Sequence, residues 1–409
     1  MAKLAVPLLI LLFFPSLISS QAALPLQTTI QKDRSTSQYV ITAYLQTPLK
    51  LTKFLLDLGS TYTWVNCDDY TSSTYKHVPC NSSIASLLGH YACLNLCDGP
   101  PSPNCGNNSF LFLPDNPIKP IDYRKVNGLT CLLTLRLPTL KGLAKGVTGL
   151  AALGRSNISI PVQINKAFPS TPNCFAICLS GSISQPGVAL FGSRGPYNFL
   201  PGIDLSKSLV YTPLLLNPLG KDSEPDKPLL SSEYHIGLTS IKVNGKMVAL
   251  NKTLLAIDGE KGSGEPRSAL LCHTEAASPA FNLTTTKPVK PFSVCYPASA
   301  VKNTQVGPAV PIIDLVLDRQ DVVWKIFGSN SMVRITKKSV DLWCLGFLDA
   351  GVNQMLSYWV GAPSIVIGGY QLEDNMLQFD LQSKKLGFSS SILSKGTDCA
   401  KFKFPTKRV

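Results

Sequence analysis

The sequence predicts a mostly β protein with few helices. Its candidate strands are short runs of β-branched and aromatic residues, such as residues 39–44 and 234–243. With 29 glycines and 31 prolines the chain is too often interrupted for long helices, and one helix is expected near residues 161–168. The polar, proline-containing stretch at residues 217–232 is typical of a surface loop. At 409 residues, the chain can bury a sizeable core.

The amino terminus is typical of a secretory signal peptide. Lys3 precedes an apolar run over residues 4–18, and small residues follow it. This run is too short for a membrane anchor, and no later stretch sustains the roughly 18 apolar residues that a spanning helix needs. We therefore assign residues 1–20 to the signal peptide, expect the mature chain to begin near Gln21, and predict no membrane association.

Cysteines and sequons point to the same compartment. The chain has 12 cysteines, which in a secreted protein indicate disulfides. Several crowd between Cys80 and Cys105 in a segment rich in Gly, Pro and Asn, which cannot build a core unaided. The alternative, a zinc site using His77 or His90, is disfavoured in an oxidising compartment, so we predict no metal and no cofactor. N-glycosylation sequons stand at Asn81, Asn107, Asn157, Asn251 and Asn282.

One carboxylate draws attention to catalysis. Residues 54–60 read Phe-Leu-Leu-Asp-Leu-Gly-Ser, so an apolar strand delivers Asp57 into a glycine-containing turn. The turn surrounds the carboxylate with backbone donors, and the Ser60 hydroxyl can add a hydrogen bond. It resembles the active-site turn of aspartic proteases, which activate water with two carboxylates that share one proton. No second copy of the motif follows. The alternative interpretation is that Asp57 closes a strand through local hydrogen bonds.

Further motifs extend this resemblance along the chain. Residues 61–67 and 364–375 resemble segments of the pepsin-like fold. Residues 142–150, 175–181, 211–215 and 328–333 are similar to segments of the plant extracellular dermal glycoprotein family. Relatives in that family include xylanase inhibitors, xyloglucan-endoglucanase inhibitors and basic 7S globulins. The resemblance implies a bilobal pepsin-like aspartic-protease fold. Its amino-terminal lobe would span residues 21–205 and its carboxy-terminal lobe residues 206–409. It also implies disulfides between Cys178 and Cys399 and between Cys295 and Cys344.

The chain departs from the pattern of an active protease. Leu58 stands where active members have Thr or Ser. Both lobes are shortened relative to the family, between residues 127 and 141 and between residues 262 and 291. The second shortened segment is where a second active-site turn is expected, and neither Asp258 nor Asp349 is well placed to replace it. We therefore predict that the protein is not an enzyme and that Asp57 and Ser60 are vestiges of a catalytic turn.

Two cysteines also depart from the family's set. Cys174 and Cys272 are additional, whereas two first-lobe cysteines of the usual set are missing. The count stays even, so we expect no stoichiometric free thiol, although the sequence does not fix the partners of Cys174 and Cys272.

The resemblance implies inhibition of secreted glycoside hydrolases by second-lobe loops. The matching loop here is residues 349–363, where Ala362 replaces an arginine of the relatives and several apolar residues are added. Its contact candidates are Asp349, Gln354, Tyr358, Trp359 and Ala362. A packed loop is the alternative interpretation of this apolar stretch. A peptide-binding or storage-type 7S-like globulin, and an active aspartic endopeptidase, remain as alternative functions.

The charge of the chain bears on its partners. The net charge is +13, but the basic residues are spread along the chain, so nucleic-acid binding is not predicted. One local cluster stands in the tail, at Lys401, Lys403, Lys407 and Arg408. A secreted basic protein more naturally meets acidic cell-wall polysaccharide or an acidic microbial enzyme, which places the protein in the apoplast.

Overall fold

The computed structural model describes residues 26–66, 71–76, 78–79, 82–83, 93–94, 109–110, 116–118, 140–200, 203–217, 231–250, 255, 257–258, 262–263, 283–337, 340–348 and 365–403. Within these ranges the regular structure is mostly β-strand, with three short α-helices, as the sequence predicts. The helices are α1 (Ile160–Ala167), α2 (Gly328–Ser331) and α3 (Gly369–Leu372).

The strands of the first half are β1 (Leu26–Lys32), β2 (Tyr39–Leu45), β3 (Lys50–Asp57), β4 (Trp64–Val65), β5 (Cys93–Leu94), β6 (Ser109–Phe110), β7 (Gly149–Ala152), β8 (Cys174–Cys178), β9 (Gly187–Phe191), β10 (Asn198–Leu200), β11 (Ile203–Asp204) and β12 (Val210–Pro213). Those of the second half are β13 (Ser240–Val243), β14 (Lys246–Met247), β15 (Ile257–Asp258), β16 (Gly262–Ser263), β17 (Cys295–Pro297), β18 (Asn303–Thr304), β19 (Gly307–Pro308), β20 (Ile313–Val316), β21 (Val323–Ile326), β22 (Met332–Lys337), β23 (Val340–Leu345), β24 (Met376–Asp380) and β25 (Lys385–Phe388).

One large sheet runs through the molecule. Its ten strands lie in the order β12-β25-β24-β8-β9-β1-β2-β3-β7-β4. Strands β24 and β8 pair antiparallel, with Leu377 opposite Ile177, so segments from the two predicted lobes share one hydrogen-bonded ladder. Every residue of β8, β9 and β24 is buried. The predicted lobes are therefore joined by one continuous sheet, and strands β8, β9 and β24 at the join are buried.

The second half adds smaller sheets. Strands β14-β13-β20-β21 form a four-stranded sheet, and β17-β23-β22 form a three-stranded sheet. The largest apolar cluster combines residues of the ten-stranded sheet, such as Phe175, with residues of the four-stranded sheet, such as Leu315 and Trp324. Phe175 and Phe379 stack with ring centroids 4.7 Å apart, which ties β8 to β24 through side chains as well as backbone.

The disulfides include both pairs that the family resemblance implies. Cys178 is bonded to Cys399, and Cys295 to Cys344. Cys174 is a free, buried thiol at the start of β8, contrary to the expectation that no thiol is left over. Burial raises the pKa of this thiol to about 12, which leaves it protonated and unreactive. Cys272 lies outside the described residues.

Several local predictions can be compared with the structure. Helix α1 occupies residues 160–167, as predicted, with Pro161 in its first turn, where a missing N–H costs nothing. The strand expected over residues 234–243 is only partly formed, because β13 begins at Ser240. The predicted surface loop at residues 217–232 has buried ends: the N–H of Ser231 donates to the Asn217 carbonyl over 2.8 Å. In the described part of the chain, every helix is too short or too polar to cross a membrane.

Candidate functional site

The turn around Asp57 is built by the end of β3. This strand runs parallel to β7, with Asp57 opposite Ala152, and the N–H of Leu153 donates to the Asp57 carbonyl over 2.8 Å. The Asp57 side chain then turns back on its own loop. Its Oδ1 accepts the backbone N–H groups of Gly59 and Ser60, each over 2.7 Å. Both contacts come from backbone N–H groups of the turn, as the sequence predicts.

A short segment of the second lobe, residues 231–235, closes over this turn. Ser232 Oγ donates to the Gly59 carbonyl over 2.5 Å, and Thr61 Oγ1 donates to Ser232 Oγ over 2.9 Å. From the chain that follows β7, the N–H of Arg155 donates to the Ser232 carbonyl over 2.7 Å. Ser232 is therefore bonded to both sides of the Asp57 turn. We call this set of contacts the Ser232 lock.

Tyr234 anchors the same segment in the core. Its ring lies 4.5 Å from the ring of Phe379, and its hydroxyl donates to the Leu153 carbonyl over 2.7 Å. Burial raises the pKa of the Tyr234 hydroxyl far above its ordinary value. A neutral, hydrogen-bonded tyrosine is what a buried position of this kind requires.

Close approach at the junction depends on Gly154. A Cβ at this position would stand 2.5 Å from the Ser60 carbonyl oxygen and 2.8 Å from the Ser232 carbonyl oxygen. Both atoms belong to backbone, so neither can move aside without shifting the chain. Glycine is therefore needed where the turn, β7 and the second-lobe segment converge.

Glu233 brings a second carboxylate to Asp57. A Cβ built on Gly59 would stand 3.5 Å from Asp57 Oδ1 and 3.7 Å from Glu233 Oε1, so both carboxylates border the same point. The Glu233 side chain is 52% exposed. Its pKa is nevertheless raised, first by partial loss of solvent and second by the negative charge of Asp57. A raised pKa means that Glu233 holds its proton more readily than a free glutamate.

His235 lies on the other side of Glu233. Its Nε2 is 3.6 Å from Glu233 Oε2 and 3.3 Å from Asn217 Nδ2, and the residue is buried. Burial, helped by the charge of Arg155, lowers the pKa of His235 to about 4. The imidazole is therefore neutral in mildly acidic and neutral solution and does not compensate the Glu233 charge.

A buried ion pair ties the first strands to the chain that follows α3. Lys32 Nζ lies 2.5 Å from Glu373 Oε1, and the Tyr39 hydroxyl donates to the same oxygen over 2.5 Å. The Lys32 and Glu373 side chains are 12% and 8% exposed. Beside them, burial raises the pKa of Asp374 to about 6. This network joins β1 and β2 to the carboxy-terminal part of the chain.

The second lobe contains an apolar pocket next to the predicted contact loop. Its lining includes Ile241, Leu315, Phe347, Ile365 and Ile367, and its volume is about 50 Å³. The described chain stops at Leu348, which is 50% exposed, and resumes at Ile365. Both attachment points of the loop at residues 349–363 thus lie beside one apolar surface.

The structure describes some of the remaining predicted site residues, whereas others lie outside the described part of the chain. Asp258 lies in β15, paired with Gly262 of β16, and Leu58 packs against the main apolar cluster. Asn157 is exposed, as a glycan acceptor must be. The residues that lie outside the described part of the chain are His77, Asn81, His90, Asn107, Asn251, Asn282, Asp349, Gln354, Tyr358, Trp359 and Ala362. Within the described ranges, no group of three or more His, Cys, Asp or Glu side chains could hold a metal ion.

Sequence reasoning missed Glu233. The residue stands in an unremarkable Ser-Ser-Glu-Tyr segment, 176 positions after Asp57 in the numbering of the chain. No sequence spacing predicts that Asp57 and Glu233 lie together, because their contact depends on how the second lobe packs against the first. The usable clue was Tyr234, an aromatic at the start of an expected strand, whose burial fixes its neighbour at the junction.

Comparison with known proteins places this chain in a family. The family sequence model described as "Xylanase inhibitor N-terminal" matches residues 39–193, and "Xylanase inhibitor C-terminal" matches residues 268–390. The chain is 40% identical to "Probable aspartic proteinase GIP2" of Nicotiana benthamiana over 413 residues, covering 92% of this chain and 91% of the relative. It is 34% identical to "Gamma conglutin 1" of Prunus dulcis over 416 residues, covering 92% and 89%.

Solved structures that resemble this chain support the same family assignment. "Crystal structure of edgp" superposes with a TM-score of 0.79 at 39% identity, covering 93% of this chain and 98% of that one. "Crystal structure of Basic 7S globulin from soybean" superposes with a TM-score of 0.70 at 25% identity, covering 93% and 99%.

Proposed function

Because this chain belongs to the xylanase-inhibitor family and has its pepsin-like fold, we propose that it is a secreted, proteolytically inactive inhibitor of microbial cell-wall glycoside hydrolases. Its setting would be plant defence in the apoplast, and its targets a xylanase or a xyloglucan endoglucanase. The observation that carries the proposal is the match of both halves of the chain to the inhibitor family.

The Asp57 turn supports the lack of proteolysis. Its Oδ1 is occupied by two N–H groups of its own loop, and the neighbouring carboxylate is Glu233 of the locking segment. The protease mechanism needs two equivalent turns that hold a water between them. A carboxylate on a segment fastened by Ser232 and Tyr234 does not reproduce that symmetry, so we expect Asp57 to serve structure.

The contact surface we propose is the loop at residues 349–363. It leaves and re-enters the second lobe beside the apolar pocket, so its base is fixed by packed residues such as Phe347 and Ile365. With Ala362 in place of an arginine, binding would depend mainly on Trp359 and Tyr358, because buried aromatics anchor interfaces. Inhibition should then depend weakly on salt, unlike a contact led by a charged residue.

A panel of fungal xylanases and xyloglucanases tests this proposal. The purified protein is expected to inhibit at least one of them, and Trp359→Ala is expected to weaken inhibition at least tenfold, about 1.4 kcal/mol. Tyr44→Ala is the matched control, because Tyr44 is a 65% exposed aromatic on the β2–β3 hairpin of the other lobe. If Trp359→Ala inhibits as well as the unchanged protein, the loop assignment is wrong.

Two other functions compete. The gamma conglutin and basic 7S globulin relatives favour a peptide-binding or storage-type globulin, which gains if no enzyme of the panel is inhibited. The name of the Nicotiana relative favours an active aspartic endopeptidase. Pepstatin-sensitive cleavage of denatured substrate in acid, abolished by Asp57→Asn, would establish that activity and end the inactive-protease proposal.

A further inference from the structure

We infer that Asp57 and Glu233 form a pair of mutually repelling carboxylates at the junction of the two lobes, so that the junction is fastened in acid, when Glu233 is protonated, and loosened in neutral solution. This inference concerns the junction itself and stands whether or not the protein inhibits a glycosidase. It starts from the position of the two carboxylates, which border one point above Gly59, at 3.5 Å for Asp57 Oδ1 and 3.7 Å for Glu233 Oε1.

Hydrogen bonds hold the Asp57 turn and the backbone on each side of Glu233. Asp57 is held by the N–H groups of Gly59 and Ser60. Glu233 stands between Ser232, which bonds to Gly59, and Tyr234, which is buried and bonds to Leu153. Repulsion between the carboxylates therefore acts next to the Ser232 lock, because Glu233 is the residue between Ser232 and Tyr234.

Among the described residues, the charged and titratable groups that face Glu233 leave the repulsion uncompensated. His235 is nearest, with Nε2 3.6 Å from Glu233 Oε2, but its pKa of about 4 keeps the ring neutral above acid pH. Arg155, which follows β7, directs its guanidinium elsewhere, because its Nη1 donates to the Leu215 carbonyl over 2.5 Å. The Tyr234 hydroxyl is neutral and bonded to Leu153. Of the described neighbours this leaves Asp57, whose carboxylate, second to burial, raises the pKa of Glu233.

The direction of the pH effect follows from linkage. The pKa of Glu233 is raised in the folded protein, so the folded state binds more protons than the unfolded state between pH 4.5 and that raised value. The contribution of Glu233 to stability is therefore most favourable in acid. It declines as the pH rises through this window. His235 has the opposite slope, because its folded pKa lies below the ordinary value and its contribution is lost as the pH falls toward 4.

Glu233→Gln isolates the effect, since glutamine keeps the shape and removes the charge. At about pH 7 the variant should melt on the order of 2 °C above the unchanged protein, and the difference should close at about pH 4. Asp374 titrates in both proteins, so its own contribution cancels in the difference. His235 stays neutral well above its pKa of about 4, so the part of the difference that reports on Glu233 alone is the change between about pH 5 and pH 7. Asp321→Asn is the matched control, an exposed carboxylate that should show no pH-dependent difference.

Asp57→Asn decides whether the partner is correct, because asparagine can still accept the two N–H groups. In that background Glu233→Gln should lose most of its effect at neutral pH. If the Glu233→Gln difference is unchanged by Asp57→Asn, burial alone raises the pKa and the pair is wrong. If Glu233→Gln shows no difference at any pH, or one that grows in acid, the inference fails outright.

Hydrogen exchange reports on loosening of the junction. The Arg155 amide, which donates to the Ser232 carbonyl, should lose protection at neutral pH relative to the Leu205 amide, which donates to the Tyr197 carbonyl. After correction for intrinsic exchange rates, this loss should be absent in Glu233→Gln. Equal behaviour of the two amides at both pH values in the unchanged protein would mean that the carboxylates affect stability without opening the lock.

Discussion

The junction between the lobes is tested by a single added methyl group, in Gly154→Ala. The new Cβ would stand 2.5 Å from the Ser60 carbonyl oxygen and 2.8 Å from the Ser232 carbonyl oxygen. Ordinary contacts are longer than 3.4 Å, so the backbone of the Asp57 turn or of the locking segment must shift by roughly 1 Å. Overpacking of this kind costs about 1–3 kcal/mol.

The shift also strains hydrogen bonds. Ser232 Oγ to the Gly59 carbonyl and the Arg155 N–H to the Ser232 carbonyl cross the same contact, and losing each costs about 0.5–1.5 kcal/mol. We therefore expect Gly154→Ala to lower the free energy of unfolding by about 3 kcal/mol. Denaturant unfolding followed by tryptophan fluorescence measures this change.

Gly237→Ala is the matched control. A Cβ there would be 3.6 Å from the nearest atom, Leu215 Cδ1, which is an ordinary contact. This variant should be neutral or stabilised by up to about 1 kcal/mol, because alanine restricts the unfolded chain. If Gly154→Ala unfolds within about 0.5 kcal/mol of Gly237→Ala, the close approach of the three segments is wrong, and with it the Ser232 lock.

Three further predictions concern the rest of the chain. Lys32→Met should lower the free energy of unfolding by about 3 kcal/mol or more, because it leaves the buried Glu373 carboxylate without its cation. Adding Glu373→Gln should recover part of this loss in the same unfolding assay. Replacing Cys178 and Cys399 by alanine should cost about 1 kcal/mol more than replacing Cys295 and Cys344, since the sequence separations are 221 and 49; equal losses would contradict the chain-entropy explanation. Cys174 should resist alkylation in the native protein and react after denaturation, and intact mass should show one label fewer in Cys174→Ser; rapid native labelling would contradict its burial.

Local patterns in the sequence predicted local structure well. Helix α1 follows from Pro161 at its start, and β2 follows from the β-branched and aromatic run at residues 39–44. The Asp57 turn follows from its glycine and its apolar strand. These features depend on neighbours in the chain, which the sequence displays directly.

Features that depend on packing between distant segments were not predictable in this way. The run at residues 234–243 has the composition of one strand, but its first residues are bonded to other partners: His235 bridges to Leu215, and Tyr234 joins the aromatic cluster. For the same reason Glu233 was missed, and Cys174 was expected to be paired. Its buried place at the start of β8, opposite Asp380 of β24, is a property of the assembled sheet.

The junction explains how this fold can persist while its chemistry changes. In an aspartic protease the two catalytic turns both perform the reaction and hold the lobes in register, so losing one turn threatens both roles. Here Ser232 and Tyr234 supply the register, through bonds to Gly59 and Leu153 that use no catalytic group. The Asp57 turn is then stabilised by its own N–H groups and by the locking segment. Under the proposed inhibitor function, loops elsewhere on the second lobe could then vary toward binding without disturbing this junction, because Ser232 and Tyr234 hold it through backbone carbonyls.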